Sequence, residues 1–86
     1  MANTARGRVN RIYPHENLAY IRLEGIAPNV TPKDGYFRLD KSHPNYAALY
    51  SLALVAAVNR YDLLIRTRGE ITSQEHGEVV YMVVDW

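Results

Sequence analysis

Pro44-Asn45-Tyr46-Ala47-Ala48-Leu49-Tyr50-Ser51-Leu52-Ala53-Leu54-Val55-Ala56-Ala57-Val58-Asn59-Arg60 sets the architecture of this chain. Ala and Leu dominate from Tyr46 to Val58, and both are strong helix formers. Pro44 suits the first helical position, where its missing N–H costs nothing, with Ser42 or His43 as the cap. Leu49, Leu52, Ala53 and Ala56 recur at i, i+3, i+4 and i+7, which marks one buried face. Asn59-Arg60 ends the run and puts a cation near the negative helix terminus. Between Tyr46 and Val58 only Ser51 is frankly polar. Tyr50, Leu54, Ala57 and Val58 therefore lie wholly or partly off the core stripe. A helix apolar nearly all round is usually covered on both sides. Either the chain's own loops cover the second side or a neighbouring subunit does, and the second is the expectation.

The segments on both sides of this helix read as strands. Gly7 opens Arg8-Val9-Asn10-Arg11-Ile12-Tyr13, where Val9 and Ile12 share a face only if a residue bulges out between them. Pro14-His15-Glu16-Asn17 is a turn by composition. In Leu18-Ala19-Tyr20-Ile21-Arg22-Leu23, Ala19, Ile21 and Leu23 face the core, and Leu18, Tyr20 and Arg22 face away. Gly25 to Gly35 holds two further punctuators, Pro28 and Pro32, and reads as a loop. Tyr36-Phe37-Arg38-Leu39 follows, with Phe37 and Leu39 on one face and Tyr36 and Arg38 on the other. After the helix, Tyr61 to Thr67 pairs Leu63 with Ile65 on one face and Leu64 with Arg66 on the other. Arg68 to Gly77 is a polar loop. The last strand, Glu78 to Trp86, is apolar on both faces: Val80, Met82, Val84 and Trp86 against Val79, Tyr81 and Val83.

Strand–strand–strand–helix–strand–strand predicts a mainly β fold, an OB-fold-like five-stranded barrel with one α-helix. SH3-like and Sm-like barrels are the competitors, and they do not normally carry such a helix there. Residues 1–6 are expected to form a disordered arm, and residues 7–86 a single domain. Composition agrees: 48% of the 86 residues are hydrophobic and 22% charged, as in a folded domain. Seven Tyr, one Phe and one Trp favour strands. A net charge of +1 implies no strong pull on nucleic acid or membrane. With no Cys there are no disulfides and no Cys-ligated metal, which suits a reducing compartment. Met1 to Arg6 lacks the apolar core of a signal peptide. The longest apolar stretch falls short of the roughly 20 residues a membrane helix needs. A cytoplasmic protein without membrane insertion is the expectation. Asn29-Val30-Thr31 fits a glycosylation sequon and carries little weight without a signal peptide.

Tyr36-Phe37-Arg38-Leu39-Asp40, the run from Pro44 to Ala57, and Leu63-Leu64-Ile65-Arg66-Thr67 together resemble small bacterial and phage-borne OB-like domains. These are similar to the receptor-binding B subunits of toxins built from one active subunit and five binding subunits. The likeness covers residues 36–67 and, more loosely, the first hairpin and the last strand. The resemblance implies a homo-oligomeric ring, most often a pentamer, with helices toward the axis and sheets continued between subunits. It also implies a glycan ligand and a bacterial or phage origin. The sequence departs from the secreted pattern in having no signal peptide and no cysteine pair. Expected interface residues are Tyr46, Tyr50, Leu54, Ala57 and Val58 on the helix, with Tyr81 and Val83 on the last strand.

Nothing in the chain has the spacing of a catalytic or metal site. His15, His43 and His76 are scattered, without a His-x-x-x-His pattern. Ser42, His43 and Ser73 lie in turns, and no motif sets a base beside a nucleophile. Glu24 and Asp40 could approach each other at strand ends, but two carboxylates in a chain with nine are unremarkable. The expectation is a binding or assembly module with no enzymatic activity, metal or cofactor. Its candidate ligand residues are Tyr20, Arg22, Tyr36 and Arg38, outward on adjacent strands, joined by Arg66 and extended by Arg6, Arg8 and Arg11. Stacking rings beside cations suit single-stranded nucleic acid. Cross-strand Tyr–Arg pairs also stabilise a sheet with no ligand at all. A glycan would instead use loop residues such as His15, Asn29 or His76.

Overall fold

The computed structural model describes residues 2–86. Its elements are β1 (Thr4–Pro14), β2 (Leu18–Glu24), β3 (Tyr36–Asp40), α1 (Tyr46–Asn59), β4 (Asp62–Thr67) and β5 (Gly77–Val84). The fold is mainly β with one helix, in the order read from the sequence. The strands form one sheet, β1-β2-β3-β5-β4, which closes in a ring because β4 returns to β1. All neighbours are antiparallel except β3 and β5, which run parallel over Phe37↔Gly77 and Arg38↔Glu78.

The first strand bends as its spacing requires. Val9 lies opposite Leu23 and Arg11 opposite Arg22, so Asn10 is the extra residue of a bulge. The bulge lets one strand serve two neighbours. Its first half pairs with β4 from Thr4↔Arg66 to Arg8↔Asp62, and its second half continues along β2. Strand β1 thus starts three residues before Gly7, which corrects the expected arm over residues 1–6 for residues 4–6. Ala5 is buried among core side chains, and Asn3 and Ala2 accept backbone hydrogen bonds from Thr67 and Ile71. Small polar residues fray only when nothing pairs with their backbone, and here β4 and the following loop do.

Core side chains come from every strand. Ala19 and Ile21 from β2, Phe37 and Leu39 from β3, and Leu63 and Ile65 from β4 are wholly buried, as their alternation predicts. Burying a Phe, Leu or Ile side chain stabilises by about 1.5–3 kcal/mol. Helix α1 packs onto the ring with Leu49, Ala53 and Ala56, while Leu52 is only partly buried.

Two expectations about element detail are corrected. The helix starts at Tyr46, not at Pro44, and Asn45 holds the cap position. His43 is the reason. Its Nε2 lies 2.9 Å from the Val80 carbonyl oxygen, which only accepts, so Nε2 carries the proton and donates. Nδ1 is then free to accept from the Asn45 N–H at 3.0 Å. The ring thus pins the chain to β5 and holds Pro44 and Asn45 in a turn. In β5, Thr67 pairs with Val79 and Arg66 with Tyr81, leaving Val80 as a bulge. Val79 and Met82 are therefore the buried pair, and Val80 does not share a buried face with Met82.

The loops carry two further ties. Lys33 N–H donates to the Glu75 carbonyl at 3.0 Å, joining the β2–β3 loop to the β4–β5 loop. Ile71, in a loop read as polar, is buried against the core.

Candidate functional site

Register decides which outward side chains meet. Pairing of β2 with β3 sets Tyr20 opposite Arg38 and Arg22 opposite Tyr36. Tyr20 and Tyr36 are then diagonal neighbours, with ring centroids 5.2 Å apart. Because of the Asn10 bulge, Tyr13 falls opposite Tyr20, and their rings lie 5.8 Å apart. The β4–β5 loop brings His76 to 4.9 Å from Tyr20, and the β1–β2 turn brings His15 to 5.8 Å from Tyr13. The result is a continuous patch of rings on the outer face of β1, β2 and β3. Tyr13 is 45% exposed, and Tyr20, Tyr36 and His76 are half-buried. Packed against one another, the rings are held in place while each remains at least partly exposed to solvent.

Two cations border the patch. Arg11 Nη1 donates to the Tyr36 hydroxyl at 3.0 Å, and Arg22 Nε donates to Asn10 Oδ1 at 3.0 Å. The Arg22 guanidinium carbon also lies 5.8 Å from the Tyr36 ring centroid, in cation–π range. Neither arginine forms a salt bridge among the described residues, whereas Arg8, Arg38, Arg60 and Arg68 each do. Neutral partners orient the guanidiniums without cancelling their charge.

Four of the expected ligand residues therefore share one face, but not in equal roles. Tyr20, Arg22 and Tyr36 form its centre. Arg38 sits beside them as a spent cation, 3.1 Å from Asp40 Oδ1 and 3.5 Å from Glu78 Oε1. Arg66 does not join. It lies on β4 with its guanidinium carbon 5.9 Å from the Tyr81 ring centroid. Of the three arginines expected to extend the groove, Arg11 reaches the patch. Arg6 and Arg8 belong to the half of β1 that pairs with β4, and Arg8 faces Asp62. Asn29 is exposed in a single 3-10 turn, Pro28–Val30. Tyr13 escaped the sequence reading as a site residue, although the bulge inferred between Val9 and Ile12 carries the signal: with Val9 and Ile12 turned inward, Tyr13 turns outward.

Glu24, Asp40 and His43 are engaged elsewhere. Glu24 and Asp40 lie at opposite ends of the β2–β3 ladder, opposite Arg8 and Leu18 respectively, so they do not meet. Glu24 is bonded to Arg60, and Arg60 Nη1 also donates to the Val9 carbonyl at 3.3 Å. The expected cation at the helix end is thus turned toward the sheet. Both ring nitrogens of His43 have backbone partners. Among the described residues, no three His, Asp or Glu side chains converge as a metal site needs.

Apolar surface gathers on α1 and β5. Leu54, Val55, Tyr81 and Val83 are exposed, Val58 is 80% exposed and Trp86 92%. Tyr46 and Tyr50 stack at 5.9 Å and pack, with Ala57, against the chain's own core. Four of the seven expected interface residues thus face outward. No helix among the described residues is long and apolar enough to cross a membrane. Comparison with protein-family models, with curated proteins and with solved structures finds no match for this chain.

Proposed function

We propose that this chain is a non-enzymatic binding module of OB-like architecture whose tyrosine face takes single-stranded nucleic acid. The observation that carries the reading is the patch of Tyr13, Tyr20, Tyr36 and His76 rings bordered by Arg11 and Arg22, whose charges no carboxylate neutralises. Bases stack on open ring faces, and arginines alongside meet the phosphates. The closed five-stranded ring, with its helix between β3 and β4, supports the OB-like assignment. In that architecture strands two and three present the ligand face.

Fluorescence anisotropy with a labelled single strand of about ten nucleotides tests the reading. Tyr20→Ala and Tyr36→Ala are each expected to weaken binding about 5- to 150-fold, the range for loss of one stacked base. Affinity is expected to fall steeply with salt, and Arg22→Ala to reduce the salt slope by about one phosphate contact. Arg38→Ala, removing a cation already spent on Asp40 and Glu78, is expected to change the slope little. Tyrosine-dependent binding of a glycan with no salt dependence would move the face to sugar recognition.

A second reading concerns assembly and is favoured by a different surface. Beyond Glu78, β5 pairs only with β4, and Tyr81 and Val83 are exposed there. An open strand edge with apolar side chains invites a neighbouring strand. Together with Leu54, Val55 and Val58 of α1, it supports self-association into a ring, as the likeness to toxin binding subunits suggests.

A further inference from the structure

A cleft of about 150 Å³ opens beside the tyrosine face, walled among others by Arg38, Arg68, Glu70, Glu75, His76 and Glu78. His76 belongs to both features, since its ring also lies 4.9 Å from Tyr20. The two cations of the wall are already committed. The Glu78 carboxylate faces Arg38 Nη2 at 3.5 Å and Arg68 Nε at 3.2 Å, and Arg38 also meets Asp40. Glu70 and Glu75 are exposed and form no salt bridge among the described residues. Three carboxylates thus stand against two guanidiniums in the wall. His76 also lines the wall. Its Nδ1 lies 3.0 Å from the Lys33 carbonyl oxygen, so in the neutral ring the proton sits on Nδ1 and Nε2 keeps a lone pair.

Such a wall repels phosphate and favours an uncharged group that presents N–H donors. We infer that the cleft takes the amino-bearing edge of a base next to those stacked on the tyrosines, and so discriminates among bases; this rests on the nucleic-acid reading of the tyrosine face. Cytosine and adenine offer an exocyclic amine, which carboxylates accept from. Thymine and uracil offer a carbonyl oxygen at the corresponding place, which would meet the same carboxylates unfavourably.

Oligo(dC) and oligo(dT) of equal length make a clean comparison, because both are pyrimidine runs that differ chiefly in the group at that edge. Titrations by anisotropy use the full chain at mildly alkaline pH, where cytosine runs stay single-stranded. Oligo(dC) is expected to bind about tenfold tighter than oligo(dT). Glu75→Gln and Glu70→Gln are surface changes expected to narrow that gap, while Tyr20→Ala weakens both strands alike. Equal affinity for the two strands, both still lost in Tyr20→Ala, overturns the cleft assignment and leaves the tyrosine face standing. Failure of both strands to bind removes the two readings together.

Discussion

Gly7 sits hard against the end of β2. A Cβ there would lie 2.6 Å from the Glu24 carbonyl oxygen and 3.2 Å from Ile26 Cγ2. The first contact is with backbone, so no rotamer change relieves it. Gly7→Ala is expected to destabilise the fold by about 1–3 kcal/mol, read as a lower urea midpoint with unchanged slope. An unchanged midpoint would mean that β1 shifts freely against β2. At this scale the sequence offers only a glycine, and it reads as a strand opener. The need for a hydrogen-sized side chain arises from a backbone seventeen residues away. Tyr20, Arg22, Tyr36 and Arg38 were legible as an outward set because strand alternation is local. That Arg38 is neutralised was not legible, since Glu78 reaches it from a strand forty residues further on.

Among the elements, α1 shows how composition and packing differ. Its alanines look equivalent in sequence, yet Ala53 and Ala56 are fully buried against the sheet while Ala48 is exposed. Close approach of helix and ring requires the small side chain at the first two positions. Ala53→Leu is expected to cost about 1–3 kcal/mol through overpacking. Ala48→Leu, on the open side, is expected to stay within about 0.5 kcal/mol of the parent. Equal thermal midpoints for the two variants would contradict the packing described. The helix itself was legible from its Ala and Leu content and its spacing. Its first turn was not, because His43 answers to the Val80 carbonyl on β5, and Pro44 by itself signals a start. The β5 bulge was hidden for a similar reason. A strand apolar on both faces has no alternation to betray an inserted residue, and only pairing with β4 exposes it.

For the whole molecule, the exposed stripe of Leu54, Val55 and Val58 and the open edge of β5 set the expectation for its state in solution. Light scattering after size exclusion, at low micromolar concentration, is expected to give a multiple of the 9.8 kDa chain mass. Val58→Glu and Tyr81→Glu place charges on that surface and are expected to return the protein to monomer with its circular dichroism unchanged. A monomeric parent would end the assembly reading and leave the tyrosine face untouched, since the two surfaces share no residue.

The order of the secondary elements and most of the inward and outward side chains can be read from the chain alone. These follow from periods of 2.0 and 3.6 residues and from the punctuation of Gly and Pro, which act over a few positions. Closure of the sheet through β4 and β1, the gathering of Tyr13, His15 and His76 around Tyr20 and Tyr36, and the division of arginines into paired and unpaired emerge only on folding. Each depends on register between strands distant in sequence. Register is fixed by the fit of a whole core, so no local pattern reports it.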